Sequence, residues 1–450
     1  MGSAKIFFYG GAGEVTGANF LLDTGEIKIL VDCGSRERER LTADPNYDPF
    51  PYNPKTIDTL CITHAHMDHI GRVPKLVRDG FAGQIHSTSA TKDLATLMFD
   101  DAIKVMAQES RGNPLYERSD VERALSLWQG HDYHESFALS DSVAAEFHDA
   151  GHILGSSMVQ VTREGKRILF TGDLGNSPDP LLNDTEAPSG AEYIVMESVY
   201  GDRTHETNAD AKEGLRAAIE EARARGGTLL IPSFSLERTQ TILYDMNDLV
   251  ESGSMQSIPV YLDAPLAIRL SEVYRKHASF LNPAARERFS KEDPFSFRGL
   301  HVTLHHEDSE EIYHAPNPKV IIAGAGMSHG GRIREHEKHF LGEKNAMILF
   351  VGYQAPGTLG RRIQDGEKRV DIDGASIHVK AHVDALTGFS GHKDRDGLLA
   401  FVESAGEDLK KVFVVMGEPK SSMFLAQRIR DFLGIETSVP QRGESVEIEW

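Results

Sequence analysis

Four potential metal ligands fall within one short stretch, Cys61-Ile-Thr-His-Ala-His-Met-Asp-His-Ile70: His64, His66, Asp68 and His69. Imidazole and carboxylate are donors that zinc accepts. A strand ending in a loop can turn His64 and His66 towards one ion and Asp68 and His69 towards a neighbour. A polar loop rich in His by chance is the plain alternative, and this spacing next to a strand end makes it a poor one. Further ligands must complete such a site, and two stand at the ends of apolar strands. They are His152 in Asp149-Ala-Gly-His-Ile-Leu-Gly-Ser156 and Asp173 in Leu169-Phe-Thr-Gly-Asp-Leu-Gly175. Taken singly, the first reads as a hydrogen-bonded structural His and the second as a turn former. Together with the cluster they make a set whose chemistry is metal-activated hydrolysis.

Those side chains need a sheet whose strands end near one another. Short apolar runs at Lys5 to Tyr9, Asn19 to Leu22, Ile27 to Val31 and Thr59 to Thr63 predict strands. Helices are predicted over Thr91 to Gln108 and Glu117 to Trp128, then strands at Val143 to His148, Met158 to Thr162, Arg167 to Phe170 and Tyr193 to Met196. Beyond about Gly201 the pattern becomes helix, strand, helix, strand: Ala209 to Arg225, Thr228 to Pro232, Glu237 to Leu249, Pro259 to Asp263. That alternation predicts a parallel sheet. Val320 to Ala323 and Met347 to Val351 add strands; Ala375 to Val383 and Val412 to Met416 read as two more, and Met423 to Leu433 as a closing helix. The class is α/β, with 200–386 read as an inserted domain between 1–199 and 387–450.

A chain of 450 residues, 40% hydrophobic and 26% charged, is long enough for two or three domains with a sizeable core. No apolar run approaches the roughly 18 residues of a membrane span, so a membrane role is excluded. The net charge of -20 argues against whole-surface adhesion to nucleic acid and leaves only a local basic cleft. Two cysteines, Cys33 and Cys61, cannot build a disulfide framework. The opening MGSAKIFFYGG lacks the basic and apolar regions of a signal peptide, so the expected compartment is the cytoplasm. Gly11-Ala-Gly-Glu-Val-Thr-Gly17 imitates a dinucleotide fingerprint, but the residues after Gly17 read as a strand and not as the helix that would hold pyrophosphate.

The ligand pattern HxHxDH, a later His and a later Asp resembles the metallo-β-lactamase superfamily at His64, His66, Asp68, His69, His152 and Asp173. Asp32, in Ile29-Leu-Val-Asp-Cys-Gly34, falls where that superfamily carries an acid that orients ligands. Glu197 in Val195-Met-Glu-Ser-Val-Tyr-Gly-Asp-Arg203 and His392 in Gly388-Phe-Ser-Gly-His-Lys-Asp394 resemble the first motifs of the β-CASP branch, which processes nucleic acids. Ile231-Pro-Ser-Phe-Ser, Asp263-Ala-Pro-Leu-Ala, Gly324-Ala-Gly-Met-Ser and Gly357-Thr-Leu-Gly resemble its inserted domain in the same order. The likeness is closest to prokaryotic relatives of the endonuclease that cleaves mRNA 3′ ends. It implies an αββα sandwich carrying an inserted β-CASP domain, a parallel sheet flanked by helices. It also implies two zinc ions: one on His64, His66, His152 and Asp173, with Asp173 bridging to a second on Asp68 and His69.

One position departs from the pattern. Where the family's third motif has a His in a sequence like VHGE, this chain has Val414-Val-Met-Gly-Glu418, so Met416 replaces the last ligand of the second zinc. A neutral thioether suits zinc poorly among imidazoles and carboxylates, which predicts a weakened second site. Water, a substrate phosphate oxygen or Glu418 are the candidates to fill it.

The resemblance implies phosphodiester hydrolysis with a metal-activated hydroxide as nucleophile. Asp68 is placed to orient that hydroxide or accept its proton, and His392, held in its working tautomer by Glu197, to protonate the leaving 3′ oxygen. Arg203, Arg238, Arg332, Arg361 and Arg362 are candidates for phosphate contacts from the inserted domain, with Ser328 in its Gly-rich loop beside them. The expected partner is single-stranded RNA, with DNA as the alternative and a homodimer carried by analogy. Two competing readings are a hydrolase of small esters, thioesters or lactones, and a scaffold that binds RNA without cutting it.

Overall fold

Strand Ser3–Gly10 shows how the sequence builds the first layer: Ala4, Ile6 and Phe8 alternate with exposed or half-buried neighbours, so one face is apolar. The chain is described here by a computed structural model that covers residues 2–36, 44–109 and 114–450. It divides into two units. One comprises Met1–Ser177, Asn183–Thr204 and His392–Trp450, the other Pro178–Leu182 and His205–Gly391.

The first unit holds two seven-stranded sheets. One runs, edge to edge, Ser445–Glu449, Ser3–Gly10, Asn19–Asp23, Lys28–Val31, Thr59–Cys61, Gln84–Thr88 and Trp128–His131. The other runs Glu436–Ser438, Lys411–Val414, Tyr193–Met196, Lys166–Phe170, Ser157–Arg163, Val143–Asp149 and Phe137–Ala138. Their inner faces share one core, in which Ile6, Phe8, Leu22 and Ile29 meet Phe147, Val159, Phe170 and Phe413. Each such side chain contributes about 1.5–3 kcal/mol of transfer free energy when buried. Helices cover the outside: Leu398, Phe401, Leu425 and Ile429 of Arg395–Glu403 and Pro419–Leu433 pack on Leu169, Ile194 and Met196. Ser89–Glu109 lies against Gln84–Thr88 and Trp128–His131. This is helix, sheet, sheet, helix, as the resemblance implies.

Parallel pairing sets the polarity of the site. Lys28–Val31 and Thr59–Cys61 are parallel neighbours, as are Lys166–Phe170, Tyr193–Met196 and Lys411–Val414. The loops that follow them carry Asp32, His64, Asp173, Glu197 and Met416, so in each sheet these residues leave the strands at the carboxyl ends, where open α/β sheets place ligands.

The second unit has a six-stranded sheet in the order Leu300–Val302, Val260–Asp263, Lys319–Ala323, Thr228–Pro232, Met347–Phe350 and His382–Ala385. Every pair in it is parallel.

Several elements differ from the sequence expectation. Ala375 to Val383 is two strands: Ala375–His378 folds back on Arg369–Ile372, and His382–Ala385 joins the parallel sheet. The fold-back turns on Asp373 and Gly374, both at positive φ, an Asp-Gly hairpin signal that was present in the sequence. Trp128 opens a strand instead of closing a helix, because its side chain is buried and its indole N–H donates to Ser87 Oγ. Gln84–Thr88, absent from the expectation, is buried on both faces and lacks the alternation that marks a strand. Strand Asn19–Asp23 follows Gly17, so the fingerprint imitation has no helix behind it.

Candidate metal centre

The ligand loops are held by backbone contact as close as glycine permits. A Cβ on Gly34 would lie 1.5 Å from Asp68 O, and one on Gly175 would lie 1.7 Å from Gly151 O. Only glycine allows either approach. Asp32, buried at φ 60°, accepts from Thr63 N and Thr63 Oγ1, each at 2.8 Å, and lies 2.7 Å from His69 Nδ1. His66 ends the loop as N-cap of the short helix Met67–Ile70, which presents Asp68 and His69.

Ligand atoms of His64, His66, His152 and Asp173 all lie within 4.8 Å of one another. His66 Nδ1 is 3.1 Å from His64 Nε2 and 3.2 Å from His152 Nε2. Asp173 Oδ2 is 3.5 Å from His64 Nε2 and 3.6 Å from His152 Nε2. A tetrahedral zinc with bonds of 2.0–2.1 Å has ligand-to-ligand edges of about 3.3 Å. The four observed separations bracket that value, so these residues fit the ion.

Asp68, His69 and Asp173 form a second group. His69 Nε2 stands 3.3 Å from Asp173 Oδ1 and 3.8 Å from Asp68 Oδ2. With Asp32 taking the proton of Nδ1, Nε2 turns a lone pair towards the carboxylates. His69 Nε2 and Asp173 Oδ1 are both buried, face each other and have no other hydrogen-bond partner, a placement that suits two donors to one cation. Burial pushes the Asp68 carboxyl above its usual range, with the facing Asp173 adding to the rise. Burial holds His64 well below the ordinary imidazole value, which keeps it a neutral donor.

A third group joins Asp173 to Glu197 and His392. Glu197 is fully buried; its Oε1 accepts from Leu174 N at 2.6 Å and lies 3.2 Å from His392 Nδ1. Burial disfavours a charge on His392, yet Glu197, Asp173 and Asp68 raise it to about 9. The adjacent Lys393, to which the sequence reading gave no role, bonds Gly175 O and Thr185 Oγ1, each at 2.8 Å. It ties the His392 segment to the loop after Asp173, and its only sequence signal is its place in the motif.

Met416 is buried in the sandwich core with Phe20 and Phe413. Its sulfur sits where a Cβ on Gly11 would come within 2.4 Å. Glu418 is exposed at the N-cap of Pro419–Leu433. Among the described residues, neither Glu418 nor any other His, Cys, Asp or Glu joins Asp68, His69 and Asp173 as a further ligand of that group.

The expected phosphate contacts fare unevenly. Arg203 belongs to the first unit, not the inserted one, because Asn183–Thr204 packs there; its guanidinium bonds Asp202 and lies over the Tyr200 ring. Ser328 is buried, with its N–H on Ala325 O and its hydroxyl on Glu337, so neither group is free for a phosphate. Arg332 bonds Asp263 Oδ1 at 2.6 Å and the Thr303 and Leu304 carbonyls. Arg361 pairs with Asp365 and Arg362 with Glu367. Arg238 is buried too, with Nη2 paired to Glu237 Oε2 at 3.3 Å and with Nε and Nη1 unpartnered.

The metallo-β-lactamase superfamily matches residues 12–233, the Beta-Casp domain 239–363, and the Zn-dependent metallo-hydrolase RNA specificity domain 376–440. The protein named Ribonuclease TTHA0252, from Thermus thermophilus, is 36% identical over 99% of this chain and 100% of its own. The chain is a β-CASP metallo-β-lactamase. Two archaeal β-CASP relatives carry the name Transcription termination factor FttA. That of Methanosarcina mazei is 33% identical over 99% of this chain and 71% of its own, and that of Pyrococcus abyssi 32% over the same shares. A crystal structure of a protein of unknown function from Enterococcus faecalis covers 99% of this β-CASP chain and 100% of its own at TM-score 0.59 and 12% identity, a likeness of fold alone. The family is one of metal-dependent ribonucleases, and the His and Asp groups above supply a place for the metal.

Proposed function

We propose that this β-CASP protein hydrolyses phosphodiester bonds of single-stranded RNA with two zinc ions. His64, His66, His152 and Asp173 hold the first, and Asp173, Asp68 and His69 the second. The observation that carries this reading is Asp173, whose two oxygens face different imidazoles: Oδ2 towards His64 and His152, Oδ1 towards His69. When bound, paired zinc ions supply an acidified water and positive charge for both oxygens of an in-line displacement.

The chain's own groups do the rest. Asp68, with 30% of its side chain exposed, orients the attacking water and accepts its proton. His392 carries a proton near neutrality and donates it from Nε2 to the leaving 3′ oxygen, while Glu197 holds Nδ1. Asp32 fixes the His69 ring. The phosphate contacts are assigned to the inserted segment 200–386, where Arg238 pairs with Glu237 through Nη2 and keeps Nε and Nη1 unpartnered. RNA is favoured over DNA by the match to the RNA specificity domain. No helix among the described residues is long and apolar enough to cross a membrane; the cytoplasm is the proposed compartment.

Met416 supports a second reading, an RNA-binding factor whose second ion is loosely held and whose cleavage is slow. Zinc per chain by elemental analysis, beside cleavage of end-labelled single-stranded RNA and DNA, separates the two. The nuclease reading expects two ions and RNA shortening that is lost in Asp68→Ala. One ion or none, with no cleavage after added zinc or manganese, sinks it in favour of the binding factor.

A further inference from the structure

Four titratable side chains away from the Asp173 centre converge on the second sheet of the first unit. The period of two puts Glu146 and His148 on the face of strand Val143–Asp149 opposite the buried Val143, Ala145 and Phe147. His134 comes from the turn before Phe137–Ala138, fixed by its N–H on Phe147 O at 2.9 Å. Glu186 comes from a later loop, fixed by its N–H on Asp149 O at 3.0 Å.

Glu186 spans both imidazoles. Its Oε1 lies 3.1 Å from His134 Nε2 and its Oε2 3.3 Å from His148 Nδ1. A carboxylate takes an N–H from each, which leaves lone pairs on the other ring nitrogens, His134 Nδ1 and His148 Nε2. Both face a third acceptor, Glu146 Oε1, at 3.8 and 3.2 Å respectively. His148 Nε2 is buried and makes no hydrogen bond. One ligand atom from each of His134, Glu146 and His148 lies within 4.8 Å of the other two. A carboxylate behind the imidazole is the arrangement that orients metal-binding histidines, and two His with one Glu is a donor set that zinc takes with a position left open.

We propose that His134, Glu146 and His148 bind a divalent transition-metal ion of the zinc class, distinct from the centre around Asp173, with Glu186 orienting both rings. With 57% of its side chain exposed, His134 leaves the ion a side open to solvent. The ion cross-links the His134 turn, the strand and the Glu186 loop. That loop also braces the His152 segment, through Asn183 Nδ2 on Asp149 Oδ2 and Thr185 Oγ1 on Ala150 O, each at 2.9 Å. The rival is a ring of ion pairs in which both imidazoles are protonated and no metal enters.

The test compares zinc per chain in the wild type, His134→Asn and Glu146→Gln, each dialysed as the full chain against micromolar free zinc. Asn is chosen because position 134 sits at φ 62°, a conformation that Asn tolerates. Each variant is expected to hold one ion fewer and to lose part of the zinc-dependent rise in melting temperature. Whatever the Asp173 centre holds cancels in the difference, so the outcome is independent of the nuclease reading. Glu186→Gln keeps all three ligands and is expected to weaken the extra ion by about 10- to 100-fold, a readout that survives if another variant fails to fold. Equal zinc in the wild type and all variants, or a site that fills only at millimolar zinc, overturns the proposal.

Discussion

Asp32 Oδ2 lies 2.7 Å from His69 Nδ1 while the same carboxylate receives the N–H and hydroxyl of Thr63. One buried acid therefore aims the His69 ring towards Asp68 and Asp173 and anchors the strand end that leads to His64. Asp32→Asn keeps the left-handed backbone and loses the second acceptor oxygen. Zinc titration calorimetry is expected to show the weaker equivalent losing about 10- to 100-fold in affinity. An unchanged isotherm would mean that His69 needs no orienting partner.

His392→Ala is expected to lower the single-turnover rate of RNA cleavage by about 10²- to 10⁴-fold at saturating substrate, with zinc content unchanged. Glu197→Gln, which retains the acceptor for Leu174 N, is expected to fall between the two. If either variant loses zinc in proportion to its activity, the pair belongs to metal binding and not to proton transfer.

Met416→His restores a nitrogen donor at a residue with φ 45°, a conformation in which His is found more often than most residues. The second zinc is expected to bind about tenfold tighter or better, at some loss of thermal stability because the thioether leaves the core. Competition with a chelator measures the gain. No change in affinity would show that the side chain at 416 stays in the core whatever its chemistry.

In the second unit, burial pushes the Glu337 carboxyl up to about 8, against the Ser328 hydroxyl and Arg334. Its folded value is above the unfolded one, so between about pH 4.5 and pH 8 the native state binds a proton that the unfolded chain lacks. Stability contributed this way is complete below that window and fades as pH rises through it. Glu337→Gln is expected to melt above the wild type at pH 9, with the gap closing towards pH 5. A gap that does not vary with pH would show that Glu337 is ionised alike in both states.

The centre was legible where its chemistry is local. His64 to His69 sit in one loop, and the strands that bring His152 and Asp173 to it carry plain apolar runs. What sequence spacing conceals is which cations are already neutralised. Arg332 reads like a phosphate contact, yet its partner Asp263 lies 69 residues away in the chain. Ser328 is likewise engaged by Glu337, from a helix whose burial no short window displays. The His134, Glu146, His148 and Glu186 group escaped notice for the same reason, since a turn, a strand and a later loop meet only in the folded sheet. The split of 375–383 was readable from Asp373-Gly374, and there the apolar run outweighed the turn signal.

The first unit is written in the chain as three segments, and the last of them, which follows the bulk of the second unit, opens at His392. On a ribosome, every ligand up to Asp173 emerges before the inserted domain has been made, while His392 and the strand Lys411–Val414, which sits between Tyr193–Met196 and Glu436–Ser438, emerge after it. Folding of nascent chains proceeds from the N-terminal side. On the proposed chemistry, the His and Asp donors are synthesised well before the proton donor His392, so the last segment to leave the ribosome completes the catalytic set.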